Sequence, residues 1–256
     1  KAIINSIMAL LVQAVSIICG FILPRLILSY FGSSYNGITA SISQFIGCAV
    51  LLRAGIGSVT RAALYKPLSE NNITEISGII NATDRYMKRI AFIFACGLII
   101  FGIIYPFVVS DEFSWIFSFS LVLILGISTF AQNYFGITYQ MLIQADQRQY
   151  IYSIITIVST VINTILASIL IKLGFSIQIV KLGSAIVFTL NPVVLNIYVK
   201  KRYNIDKNIE PNNNAISQRW DAFAQQVAAF VNNNTDIMIL TIFSSMKEIS
   251  VYTVYY

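Results

Sequence analysis

Residues 37–59 read GITASISQFIGCAVLLRAGIGSV, a run long enough to cross a bilayer and uncharged except for Arg53. A guanidinium at membrane depth costs at least about 2.5 kcal/mol, so such a side chain faces a water-filled cavity or a partner, not lipid. The run before it, NSIMALLVQAVSIICGFILPRLILSYF at residues 5–31, carries a second arginine, Arg25, beside Pro24. Two arginines inside consecutive spans point to a basic cavity suited to an anion. Arg53 has long apolar flanks on both sides and fits that cavity. Arg25 stands shortly before Phe31, where the run ends, and snorkelling to the interface is the alternative for it.

The whole chain supports a membrane setting. Mean hydropathy is +0.74, and of its 256 residues 57% are apolar and only 11% charged, where a soluble domain carries roughly a quarter. Seven stretches can cross about 30 Å of hydrocarbon: Ala2–Phe31, Gly37–Leu64, Ile90–Val109, Phe113–Gln144, Tyr150–Ile171, Ile177–Val199 and Ala222–Phe243. The final residues, ISVYTVYY, read as the start of an eighth. With no initiator Met, the sequence is expected to be a piece of a longer chain. The first apolar run is too long, and lacks the small-residue site, for a cleavable signal peptide.

The net charge of +6 does not indicate nucleic acid, because the basic residues are sorted between loops instead of being interleaved with aromatics on one face. Arg61, Lys66, Arg85, Lys88 and Arg89 flank the second loop, Arg148 lies in the fourth, and Lys200, Lys201, Arg202, Lys207 and Arg219 cluster in the sixth. The first, third and fifth hold SSYNG, the Asp111-Glu112 pair, and Lys172 with Lys181. The positive-inside rule then places the N-terminus and the even loops in the cytoplasm, and Asp111-Glu112 outside.

Enzyme chemistry finds no support. Histidine is absent, which removes the usual general base and the commonest metal ligand. Cys19, Cys48 and Cys96 lie singly in apolar runs and read as small core residues. Asp111-Glu112 sits on a short outer turn and reads as solvated. Gly55-Ile56-Gly57 has no preceding strand, so it is no nucleotide loop; close helix packing is its reading. The Asn-x-Thr triplets at Asn72, Asn81 and Asn233 fall in cytoplasmic or membrane segments and are chance matches.

Two polar segments organise the chain. In KPLSENNITEISGIINATDRYMKR (66–89), Asn72 and Glu75 resemble a capping box, and Ile73, Ile76, Ile80 and Met87 share a helical face. The segment reads as an amphipathic helix, either lying on the cytoplasmic surface or packed on the protein's own cytoplasmic end. KKRYNIDKNIEPNNNAISQR (200–219) is charged, Asn-rich and broken by Pro211, and reads as a linker. Three parts follow: a six-helix transmembrane lobe over 1–199, a cytoplasmic linker over 200–219, and the start of a second transmembrane lobe over 220–256.

An internal repeat supports the division. Leu23–Ser33 (LPRLILSYFGS) aligns with Thr235–Ser245 (TDIMILTIFSS), and each copy then passes through a short loop into GITASI or SVYTVY. Six spans separate the copies, an even number, which implies parallel repeats about an axis along the membrane normal.

The stretches FILPRLILSYFGSSYNGITASISQF (21–45), GIGSVTRAALYKPLSENN (55–72) and NNNTDIMILTIFSSMKEISVYTVYY (232–256) resemble bacterial polysaccharide transporters. These are flippases of lipid-linked oligosaccharides, in the superfamily that includes multidrug extruders and the lipid II flippase. The resemblance covers the whole chain, in order and at the right spacing. It implies an all-α polytopic membrane protein: the six-helix N-terminal lobe of a two-lobe MATE-like transporter plus the first helix of the second lobe. It implies alternating access in the bacterial cytoplasmic membrane, with a polyprenyl-diphosphate-linked oligosaccharide as substrate for O-antigen, capsule or exopolysaccharide assembly. The lipid bilayer and other polysaccharide-assembly proteins would be its partners, with no nucleic acid.

Arg25 and Arg53 match positions where related flippases carry cavity arginines, so the resemblance gives them the substrate diphosphate. Asp236, with Asn232, Asn233, Asn234 and Thr235, forms a further polar cluster at depth. It is expected to pair with an arginine across the lobes, to bind a coupling cation (Na+ or H+), or to act only as packing. Gln13, Gln44, Gln132, Asn133, Gln140 and Asn163 fit a hydrated cavity collectively, though each alone reads as packing. No cofactor is expected. Two alternatives stand beside the flippase: a cation- or proton-coupled multidrug extruder of the same superfamily, and a membrane-embedded enzyme or scaffold of glycan assembly. The cationic cavity counts against the first, the missing histidine against the second.

Overall fold

A computed structural model describes residues 1–47, 51, 53, 55–109, 112–220, 239–241 and 244–255. Among these, all regular structure is helical: α1 (Ala2–Phe31), α2 (Ser33–Gly47), α3 (Ile56–Ser69), α4 (Ile73–Val108), α5 (Trp115–Ala145), α6 (Gln149–Lys172), α7 (Ile177–Arg202), a 3-10 helix (Asn213–Trp220) and α8 (Met246–Tyr255). Five of them, α1, α4, α5, α6 and α7, are long and apolar enough to cross a membrane. The chain is a multi-pass helical membrane protein.

Hydropathy placed the ends of α5, α6 and α7 closely, because polar turns bound each run. Two spans differ from expectation. Gly37–Leu64 is not one helix: α2 is described as far as Gly47, and α3 starts at Ile56, after Gly55 takes φ 81°. That left-handed value is costly for any residue with a Cβ, so Gly55 breaks the helix instead of serving close packing. The span expected at Ile90–Val109 begins at Ile73, where the Asn72 side chain accepts from the Glu75 N–H at 3.1 Å and donates to the Glu75 carboxylate at 3.3 Å. The capping box thus opens a helix of 36 residues. Its amphipathic start is packed against the protein: Ile76, Ile79 and Ile80 bury with Leu64, Leu142, Leu195 and Val199. The expected seventh span, Ala222–Phe243, falls almost wholly outside the described residues.

The two faces of the bundle are fixed by contacts. At one, Lys1 meets Asp146 in the α5–α6 turn, with Nζ–Oδ1 at 2.9 Å, and Tyr203 at the end of α7 donates to the same carboxylate at 2.5 Å. Arg148 pairs with Asp146 at 2.6 Å. With Lys200–Arg202 closing α7, this is the basic face. At the far face, Tyr35 packs edge-on against Phe113 and Phe117 at ring separations of 5.2 and 5.6 Å.

Residues 203–216, expected as a linker, lie as a strap across the α4 start. The Asn212 N–H donates to the Gly78 carbonyl at 3.0 Å, Asn81 Nδ2 donates to the carbonyls of Asp206 and Ile209, and Ile216 is buried beside Met87 and Met141. The helices that the repeat pairs, α2 and α8, lie side by side. Asn36 Nδ2 donates to Ser250 Oγ at 3.0 Å, and a Cβ on Gly37 would stand 1.9 Å from the Met246 carbonyl oxygen, so only glycine admits this approach. Glu112, expected to be merely solvated, accepts from the Met246 N–H at 3.2 Å at the start of α8. Asp111 lies outside the described residues.

Candidate functional site: two cations at different depths

Arg53 sits in the break between α2 and α3, two residues before Gly55. Its Nη1 donates to Asn133 Oδ1 at 3.4 Å, a long bond. Asn133 belongs to a single π-helical turn, Gln132–Gly136, inside α5. Such turns insert one residue into a helix and re-aim the side chains they carry, often at functional sites. The turn is held where α7 presses close, since a Cβ on Gly136 would lie 2.7 Å from Pro192 Cβ. Gln132 Nε2 donates to Gln140 Oε1 at 3.1 Å and to the Tyr152 hydroxyl at 3.2 Å. Asn133 is 1% exposed, yet its Nδ2 has no partner among the described residues. An unmet buried donor costs about 1–3 kcal/mol, so this amide and Arg53 together present unused N–H groups to an acceptor.

Arg25 lies elsewhere. It lines a cavity of about 960 Å³ between α1, α2, α7 and α8, with Asn36 and Ser43 from α2, Thr253 from α8 and Lys181 from α7. Neither Arg25 nor Lys181 has an ion pair among the described residues. Lys181 was expected in the fifth loop; it stands inside α7, past the N-cap Ser176. Its apolar neighbours in IQIVKLGSAIVF could have signalled a span residue, but its nearness to the end of the run favoured the loop.

Arg53 is not among the residues that line the Arg25 cavity. Counting about 1.5 Å per residue from the Lys1–Asp146 contact, Arg25 is about 36 Å along α1 and Asn133 about 20 Å back along α5. Roughly 16 Å of bundle therefore separates the Arg25 and Arg53 levels. Asn163 is buried on α6, and Gln13 lies on the sparsely covered α1. The cluster Asn232, Asn233, Asn234, Thr235 and Asp236 lies outside the described residues.

At the basic face, Asp146 feels opposing influences. Burial pushes its carboxyl up, but hydrogen bonds from Lys1 and Tyr203 and the Arg148 charge outweigh this and hold it below the ordinary carboxylate value. Burial and the Asp146 carboxylate push the Tyr203 phenol up. Among the described residues no three His, Cys, Asp or Glu side chains gather to hold a metal. What the interior offers is cationic, amide and hydroxyl. Comparison of the chain with family models, curated proteins and solved structures returns no match.

Proposed function

We propose that this chain is the N-terminal part of a flippase that moves a polyprenyl-diphosphate-linked oligosaccharide across the bacterial cytoplasmic membrane by alternating access. In this reading α1 to α7 make a six-helix, MATE-like lobe, in which the broken α2–α3 pair counts as one crossing. Residues 220–256 begin a second lobe, and the basic face is cytoplasmic by the positive-inside rule. The observation that carries the proposal is Arg53, set in a helix break beside the Asn133 Nδ2, which has no partner among the described residues. Discontinuous helices at membrane depth are tolerated where they line a cavity, and their exposed backbone and polar ends bind substrate. A diphosphate needs fixed positive charge in such a low-dielectric place, and a planar guanidinium matches its oxygens two at a time. The resemblance of residues 21–45, 55–72 and 232–256 to polysaccharide transporters supports the same substrate.

The test is glycan export in cells that lack their own flippase and carry the full-length protein. Arg53→Ala should abolish export while membrane insertion and protein level stay near normal. Inserted, fully active Arg53→Ala protein would refute the proposal. Resistance to cationic drugs, lost with Arg53→Ala, in cells with unchanged glycan export would favour the multidrug extruder instead.

A further inference from the structure

We infer that Lys181 and Arg25 together form a second anion station, at the far-face level of the bundle, which takes the phosphate of a hydroxyl-bearing phosphate ester after it leaves Arg53. The inference rests on the flippase reading but adds a residue and a route to it. Three observations lead there. First, the 960 Å³ cavity holds two cations, and no carboxylate is among its described lining residues. An ammonium and a guanidinium facing one space repel each other, and a shared anion relieves that repulsion.

Second, the hydroxyls around the cavity have engaged their own protons. Ser29 donates to the Leu26 carbonyl at 3.0 Å, Thr39 to Asn36 at 2.9 Å, Ser43 to Thr39 at 2.7 Å, and Thr253 to Ser250 at 3.1 Å. What these groups still offer is lone pairs. Among the described lining residues the charged donors are Arg25 and Lys181, and the hydroxyl oxygens keep lone pairs as acceptors. That pairing suits a ligand with anionic oxygens at one place and hydroxyl groups next to it, which describes a phosphorylated sugar.

Third, Arg53 is not among the residues that line the Arg25 cavity, and about 16 Å of bundle separates the two backbone levels, an arrangement that suits two stations in sequence. Arg53 with Asn133 is the station nearer the basic face, and Arg25 with Lys181 the one nearer the far face.

The test uses the full-length protein with Cys19, Cys48 and Cys96 replaced by alanine. Lys181→Cys should reach the membrane normally and lower glycan export by about tenfold or more, the loss of one charged hydrogen bond. Reaction with 2-aminoethyl methanethiosulfonate, which restores an ammonium, should recover at least half of the export, and the neutral methyl reagent should not. Equal recovery with both reagents would make Lys181 a space-filling residue and overturn the station. For binding, farnesyl diphosphate is titrated into purified protein in nanodiscs. Lys181→Gln and Arg25→Gln should each weaken binding severalfold, and Lys181→Arg should retain it. If the wild type binds and Arg53→Gln weakens binding but no Lys181 variant changes binding or export, the second station alone is wrong. If the wild type does not bind at all, the flippase reading falls with it.

Discussion

Arg53 and Arg25 are the same side chain in two different settings. Arg53 is gripped: a glycine break presents it, a π-turn supplies Asn133, and α7 presses that turn from behind at Gly136. Arg25 is free in an open cavity on α1, a helix of 30 residues in which only Cys19 and Ile27 are buried. The contrast teaches that membrane depth alone does not define a site. The gripped arginine depends on backbone irregularity around it, and the free one depends on a second cation and on whatever enters the cavity.

Among the variants that separate the two arginines, conservative replacement gives the largest expected effect. Arg53→Lys should keep the charge but lose the planar fork, and charged hydrogen bonds of about 1.5–3 kcal/mol predict roughly a tenfold to hundredfold fall in export. Arg25→Lys should cost only a few-fold, since its cavity imposes no fixed partner. Equal losses in the two variants would erase the distinction.

Gly37→Ala should come next, because its Cβ would meet the Met246 carbonyl. Overpacking of this kind costs about 1–3 kcal/mol. A disulfide between Asn36→Cys and Ser250→Cys should form readily in the parent and poorly beside Gly37→Ala. Unchanged cross-linking would show that the close approach at Gly37 does not set the α2–α8 contact beside the Arg25 cavity.

Gly55→Ala should cost about 1–2 kcal/mol through its left-handed backbone. It should lower the melting temperature and impair export more than Gly20→Ala, where a Cβ meets nothing within 4 Å. Equal effects would mean that the break does not present Arg53.

The smallest effect lies at the basic face, away from both cations. The Asp146 carboxyl is depressed in the folded protein, so its contribution is complete above the unfolded value near 3.9 and fades as pH falls through the lower folded one. Melting curves should therefore show Asp146→Asn destabilised by about 1 kcal/mol at pH 7, with the difference shrinking as the pH is lowered into acid. A difference that persists undiminished in acid would show that Asp146 acts through shape, not charge.

The contrast also marks how far the sequence could be read. Runs such as Gln149–Lys172 were legible because polar turns interrupt an apolar average. The break at Gly55 was not, since Ala54, Gly55, Ile56 and Gly57 keep the window apolar while the backbone turns. Both arginines were visible as isolated charges at depth. Their separation was not, because it is set by contacts eighty residues apart, from Arg53 to Asn133. Lys181 looked like a loop residue because its chain position, not its neighbour across the cavity, was all that could be seen.

One consequence of α4 is mechanical. Its 36 residues run without interruption for about 54 Å, from the capping box to the far face. The strap is hydrogen-bonded to it at Gly78 and Asn81, and near the other end the Tyr105 hydroxyl holds Ser41 of α2 at 3.0 Å. A stiff rod of this length tilting by about 10° around its midpoint carries each end through roughly 5 Å. One continuous helix thereby links the strap to the Tyr105 attachment, about 40 Å away.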